Sequence, residues 1–215
     1  MKFNTKQIAM IGMLCALAFI VVALIRIPVV SFLKYEPKDV IVTMGGFMFG
    51  PLASFAISAV VSLVEMVTIS DTGLIGCVMN LLSTCAFACT AAIIYKKKRT
   101  LSGAVIGLVS GVVGMTAIML LWNYLITPLY MGYPRAAVAE MLLPVFLPFN
   151  LLKGGLNAGI TLLVYKPVVT ALRRAHLLDS SDDAAPSQRN AGKTLIALLV
   201  IATCVLAVLA LQGII

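Results

Sequence analysis

Between Lys6 and Arg26 the chain carries no charged side chain, and long uncharged runs of the same kind recur along most of its length. A run of about 20 apolar residues matches the hydrocarbon thickness of a bilayer. In lipid the backbone must satisfy its own hydrogen bonds, and a helix does so within one segment. Composition agrees. Hydrophobic residues make up 61% of the chain and charged residues 11%, with a mean hydropathy of +1.08. A soluble domain is roughly 45–50% apolar and about 25% charged. The sequence therefore predicts an all-α membrane protein. Its 215 residues suffice for about six spans with short loops, and leave no room for a soluble catalytic or ATPase domain.

The spans can be placed by their breaks. The first runs from about Lys6 to Ile27, followed by Pro28 and a polar loop, Ser31–Asp39. The apolar run from Val40 to Ile69 is too long for one perpendicular crossing, and Gly50-Pro51 divides it, because proline favours a turn or a first helical position. This gives a short, tilted or partly sunk second helix (about Lys38–Phe49) and a third (about Pro51–Ile69). Ser70-Asp71-Thr72-Gly73 is a tight polar turn. A fourth helix covers about Leu74–Tyr95 and a fifth Leu101–Ile126. A longer loop, Thr127–Pro144, holds a short helix near Ala136–Leu143, and a sixth span covers Val145–Leu172. The expected organisation is a membrane domain over residues 1–175, a polar cytoplasmic linker over 176–192, and an extra transmembrane helix over 193–215. That last helix has no polar face and reads as a peripheral anchor or packing helix.

Charge tests this division. The net charge of +8 need not mean nucleic acid, because cytoplasmic loops of membrane proteins retain basic residues. With the N-terminus inside, Lys2, Lys6, Lys96–Arg99 and the segment from Lys166 to Lys193 all fall inside. Without the break at Gly50-Pro51, the Lys96–Arg99 cluster would fall outside. The loop after the first span, the turn at Asp71 and the Thr127–Pro144 loop then share the outer face. Lys2 and Lys6 before an apolar run resemble a signal peptide, but the run is long and lacks a clear cleavage site, so it reads as a retained helix. Cys15, Cys77, Cys85, Cys89 and Cys204 all lie in apolar runs with no CxxC pair, and read as small membrane hydrophobes.

Small residues mark close helix packing: Gly46 and Gly50, Gly103, Gly107 and Gly111, and Gly155 and Gly159, each four apart. Gly12 and Ala16 on the first span suit either internal packing or a partner-facing groove.

The informative polar residues are those inside the membrane, where a mid-span lysine costs roughly 2.5–3.5 kcal/mol on insertion scales. Lys153 and Glu65 stand out. Asn150, Lys153 and Asn157 fall on one helical face. With Asn80, Asn123, Tyr124, Pro128 and Tyr130 they outline a polar pocket near the outer end, capped by the first loop. Amides and an ammonium suit a ligand rich in carbonyls, ring nitrogens and hydroxyls. The plainer reading makes the asparagines interhelical hydrogen bonds, and Glu65 the ion-pair partner of Lys153. Enzyme readings fail. His176 is the sole histidine and offers no metal pair. Gly192-Lys193-Thr194 mimics the end of a phosphate loop without its first glycine, a preceding strand or a soluble context.

Together Phe49-Gly50-Pro51, Asn123-Tyr124 with Pro128-Leu129-Tyr130, and Pro148-Phe149-Asn150 with Lys153-Gly154 carry a resemblance. Tyr95 before the basic cluster and Asn80 fit the same pattern. Over about residues 6–174 the chain resembles the membrane-embedded S components of energy-coupling factor (ECF) vitamin transporters, most of all the riboflavin-specific ones. The resemblance implies a six-helix S-component bundle, here with one additional C-terminal transmembrane helix, in the cell membrane. It implies capture of riboflavin from outside as a transported ligand, with no cofactor and no catalysis. It places Asn123, Asn150 and Lys153 on the flavin, with the first loop around Leu33–Asp39 contributing; Asn80, Glu65 and Tyr130 complete the candidate set. It also implies docking through Gly12 and Ala16 to a membrane coupling protein that works with two cytoplasmic ATPases, in the lipid bilayer and without nucleic acid. The same scaffold tuned to another ligand (FMN or another B vitamin) and a ligand-free membrane assembly subunit are the alternatives. Asp39-Val40-Ile41 and Val60-Val61 depart from the family's usual Asp-Val-Pro and Lys-Asn pairs.

Overall fold

The computed structural model describes residues 3–30, 33–174 and 191–211. Helix α1 (Thr5–Leu24) starts one residue earlier than expected because Asn4 and Gln7 form a reciprocal cap, satisfying two N-terminal amides at once. Its buried residues, Met10, Leu14, Ala18 and Val22, recur every four positions. One stripe therefore faces the bundle, while Ile8, Met13, Leu17, Ile20 and Leu24 leave an exposed apolar face on the other side. The expected loop is instead a two-stranded antiparallel hairpin, β1 (Ile27–Val30) and β2 (Leu33–Tyr35).

Helix α2 (Lys38–Phe49) packs against α1, α3 (Pro51–Thr68), α5 (Thr90–Lys97) and α8 (Leu147–Arg174). All its residues except Met48 are buried. Protein, not lipid, surrounds it, which is why twelve residues suffice where a lipid-facing span would need about 20. Gly50 ends α2 and starts α3 at φ 92°, ψ 173°, a region open essentially to glycine alone. Pro51 then takes the first position of α3. A side chain on Gly46 would collide with Ser54 and Ala92, so the tight α2–α3 and α2–α5 approach depends on its absence.

Helix α4 (Gly73–Thr84) continues through a π-helical turn, Cys85–Cys89, into α5. The glycine stripe of α6 (Leu101–Met131) lies on that segment: a Cβ on Gly107 would sit 2.7 Å from the carbonyl oxygen of Ala91, and one on Gly111 2.6 Å from that of Phe87. Two boundaries differ from expectation. Helix α6 does not stop at Ile126 but passes through Pro128 to a left-handed cap at Gly132. The short α7 (Arg135–Met141) joins α8 through a second π-helical turn, Leu142–Phe146.

Helix α9 (Ala191–Leu211) corresponds to the extra C-terminal helix and packs antiparallel on α8. Gly192-Lys193-Thr194 lies inside it, not in a loop before a helix. His176 and nearly all of the expected linker lie outside the described residues. Thr5–Leu24, Pro51–Thr68, Gly73–Lys97, Leu101–Met131 and Arg135–Ala171 are each long and apolar enough to cross a membrane. The main core joins α1, α2, α3, α5 and α6 around Leu14, Ile57, Phe87, Leu108 and Met115. A second cluster joins Val29 and Tyr35 of the hairpin, Phe149 and Leu156 of α8, and Ile201, Cys204 and Val208 of α9.

Candidate substrate-binding site

A cavity of about 390 Å³ opens beside the hairpin, within the roughly 300–1,000 Å³ usual for small-molecule pockets. Asn80 of α4, Asn123 and Tyr130 of α6, Asn150 and Lys153 of α8, and Leu33 of β2 line it. The structure thus brings these sequence-selected residues together from positions up to 120 apart. Met79, Ser83, Met119 and Phe149 add apolar and small polar wall, and Arg26, Lys34 and Glu36 line the hairpin side. Two asparagines are locked by their own helices. Asn150 Nδ2 donates to the Phe146 carbonyl at 2.7 Å. Asn123 Nδ2 donates to that of Met119 at 2.7 Å while its Oδ1 accepts from Thr127 at 2.9 Å. Such bonds fix a rotamer before a ligand arrives, lowering the ordering cost of binding.

Glu65 and Asp39 do not line this cavity. They are the buried counter-ions behind it, and the pairing differs from the one considered from sequence. Glu65 is not the partner of Lys153. Lys38 Nζ donates to both its oxygens, at 2.5 and 2.6 Å, and Asn80 Nδ2 donates to it at 2.9 Å. Lys38 also faces Glu36 at 3.3 Å, and Arg26 pairs with Glu36 at 3.2 Å. Lys153 faces Asp39 at 3.7 Å. Asp39 further accepts from Thr84 at 2.7 Å and Asn157 at 3.2 Å, and Asn157 accepts from the Tyr35 hydroxyl at 2.9 Å. Arg26 was missed as a site residue, and Glu36 and Lys38 fell within the expected Leu33–Asp39 stretch without being singled out, because each reads as a loop charge beside an apolar run. Lys38 and Arg26 gain their importance from Glu65 and Ile69 of the distant α3 end, and Glu36 from bridging the two cations. An acidic residue on α3 with no basic residue near it in sequence was the one available signal.

The cations Arg26, Lys38 and Lys153 thus match the carboxylates Glu36, Asp39 and Glu65. Burial pushes the Glu36 carboxyl up, but Lys38, Lys153 and Arg26 outweigh it and hold the group below its ordinary value. Burial, then Asp39, pushes the Tyr35 phenol up, so it stays a neutral donor. The arrangement offers amides, an ammonium and aromatic or thioether walls, a set that suits a solute bearing carbonyls and hydroxyls.

At the other end of the bundle Phe47, Tyr95 and Tyr165 form an aromatic cluster. Phe47 and Tyr95 have ring centroids 4.4 Å apart, and the two tyrosine hydroxyls are 2.6 Å apart.

Residues 6–165 match the family model for the ECF transporter substrate-specific component. The chain belongs to that family. This S component is 30% identical to the riboflavin transporter RibU of Staphylococcus aureus (strain TCH60) over 181 residues, covering 80% of this chain and 94% of the relative. It is 27% identical to the riboflavin transporter FmnP of Bacillus subtilis (strain 168) over 189 residues, covering 81% and 99%. The solved S component of a bacterial ECF transporter superposes with a TM-score of 0.67 at 28% identity, covering 79% of this chain and 98% of that one. This S component is therefore a membrane-embedded substrate-binding subunit, not an enzyme, and functions with the other modules of an ECF transporter. Its α9 lies beyond the residues matched by the family model.

Proposed function

We propose that this S component captures riboflavin from the outer face of the cell membrane. The observation that carries the reading is the convergence of Asn80, Asn123, Asn150 and Lys153 on one cavity under the hairpin. The flavin ring presents two carbonyls, an imide N–H and ring nitrogens, which amides and an ammonium match. The ribityl hydroxyls match Glu36 and Ser83. The names of the relatives above support flavin over other vitamins. Asp39 and Glu65 act through Lys153, Lys38 and Asn80 and need not touch the ligand. The capture domain is residues 1–175, with the N-terminus and Lys96–Arg99 cytoplasmic, as retention of basic residues favours.

Titration of the purified chain against riboflavin, FMN and a panel of B vitamins, followed by flavin fluorescence, tests this. Riboflavin is expected to bind tightest. Asn150→Ala and Lys153→Ala are each expected to weaken it by roughly 1–3 kcal/mol, the cost of leaving a buried partner unpaired. Unchanged affinity in both variants would remove the site assignment. Tightest binding of another vitamin would move the specificity.

Docking is proposed through α1. Gly12 and Ala16 are exposed, and a Cβ on Gly12 would meet nothing within 4 Å, so this face is open, and its small residues allow a partner helix to approach closely. The proposed occupant is the membrane coupling protein, itself driven by two cytoplasmic ATPases. Gly12→Leu is expected to spare riboflavin binding and abolish co-purification with the coupling protein; retained co-purification would place the docking face elsewhere.

A further inference from the structure

Helix α9 touches the structural support of the cavity without lining it. Its seat on α8 is built by glycine. A Cβ on Gly155 would lie 2.9 Å from Cys204 Sγ, and one on Gly159 2.8 Å from Ile201 Cγ1 and 3.4 Å from the Ala197 carbonyl oxygen. These two glycines alternate along α8 with Lys153 and Asn157, so one side of this stretch holds the polar site while another receives α9. Ile201, Cys204 and Val208 pack on the cluster that joins Phe149 and Leu156 of α8 to Val29 of β1 and Tyr35 of β2, and α9 meets β1. Tyr35 is the hairpin residue that bonds to Asn157, and through it reaches Asp39.

Besides this apolar seat, the described residues tie the hairpin down through the Tyr35–Asn157 hydrogen bond and, at its base, the Arg26–Glu36 ion pair. The hairpin itself has two short strands with a register shift between Pro28 and Val30, and an isolated hairpin is at best marginally stable. Its tip-side ion pair, Lys34 to Asp71 at 3.4 Å, is exposed on both partners, a type worth little. Arg26, at its base, donates to the Ile69 carbonyl at 2.9 Å. The apolar side of the hairpin rests on α8 and α9.

We propose that α9 is an intramembrane brace that holds the β1–β2 hairpin closed over the cavity and so slows ligand escape. Ile201 and Val208 are its positioning residues; neither lines the cavity. The kinetic part rests on the flavin-binding reading, but the brace itself does not.

The full-length chain in lipid nanodiscs gives the test. An Ile201→Ala/Val208→Ala variant is compared with Leu198→Ala/Leu199→Ala on the exposed face of α9, where those leucines are 51% and 57% exposed. Hydrogen–deuterium exchange of the β1 and β2 amides needs no ligand. It is expected to quicken in the first variant and stay unchanged in the second. Riboflavin release, followed as recovery of flavin fluorescence, is expected to accelerate roughly tenfold in the first with little change in association, as interface substitutions act mainly on dissociation. If the double variant fails to fold, Val208→Ala alone serves, with a smaller shift in the same direction. Unchanged hairpin exchange in a folded variant overturns the brace. Quickened exchange with unchanged release overturns its role in retention. A parent chain that binds no riboflavin overturns the flavin reading, while hairpin exchange still decides the brace.

Discussion

Lys38→Met is expected to destabilise this S component by about 3–5 kcal/mol, the cost of breaking a buried pair by removing one partner. Lys38 is 2% exposed and Glu65 1%, and the ammonium is shared between Glu65 and Glu36. Without it Glu36 keeps Arg26, but Glu65 keeps only the Asn80 amide among the described contacts. Methionine preserves the side chain's length and apolar stem, so the loss isolates the charge. The measurement is the thermal unfolding midpoint in detergent. Lys38→Met/Glu65→Gln is expected to recover much of the loss, because the orphaned charge goes with its partner. A midpoint unmoved by Lys38→Met would show that the pair is dispensable to the fold.

Asp39→Ala is expected to combine a similar loss of stability with a loss of affinity. Asp39 is fully buried. It is the point where Thr84, Asn157 and Lys153 meet, and it lies in the first turn of α2, where the helix dipole favours a negative charge. Its removal leaves a hydroxyl, an amide and an ammonium short of a partner, at about 1–3 kcal/mol for each neutral group and more for the cation. It also unsettles Asn157, which holds Tyr35 of the hairpin. Riboflavin affinity is expected to drop more than tenfold in titration even though Asp39 does not line the cavity. The double variant Asp39→Ala/Lys153→Met should lose less stability than the two single changes combined, since contacting residues couple. Strict additivity in unfolding midpoints would show that the 3.7 Å pair carries no coupling.

What was legible in the sequence follows from which interactions are local. Gly50-Pro51 could be read because it acts through its own backbone: a positive φ followed by a residue that cannot continue a helix inward from its N–H side. The stacking of Asn150 and Lys153 on one face follows from helical period alone. Pro128 misled because a membrane helix tolerates proline where side chains and neighbours take up the freed polar groups, and α6 runs on past it. The hairpin was hidden by its brevity, with a proline in one strand and a lysine in the other. Glu65 was rightly seen to need a cation, but the choice between Lys38 and Lys153 depends on how α2 and α3 cross, which no local pattern encodes. The seat of α9 was half legible: Gly155 and Gly159 announced a close neighbour, while the featureless apolar sequence of α9 gave no hint that it was the one.

The shortness of α2 has a geometric result. Twelve residues rise about 18 Å, against roughly 30 Å of hydrocarbon. A full-length central helix would have filled the axis of the bundle from one surface to the other. Because this one stops partway, the remaining depth is shared between the folded-in hairpin and the hollow beside it. The room for a guest molecule is, in effect, the stretch of helix that the chain leaves out.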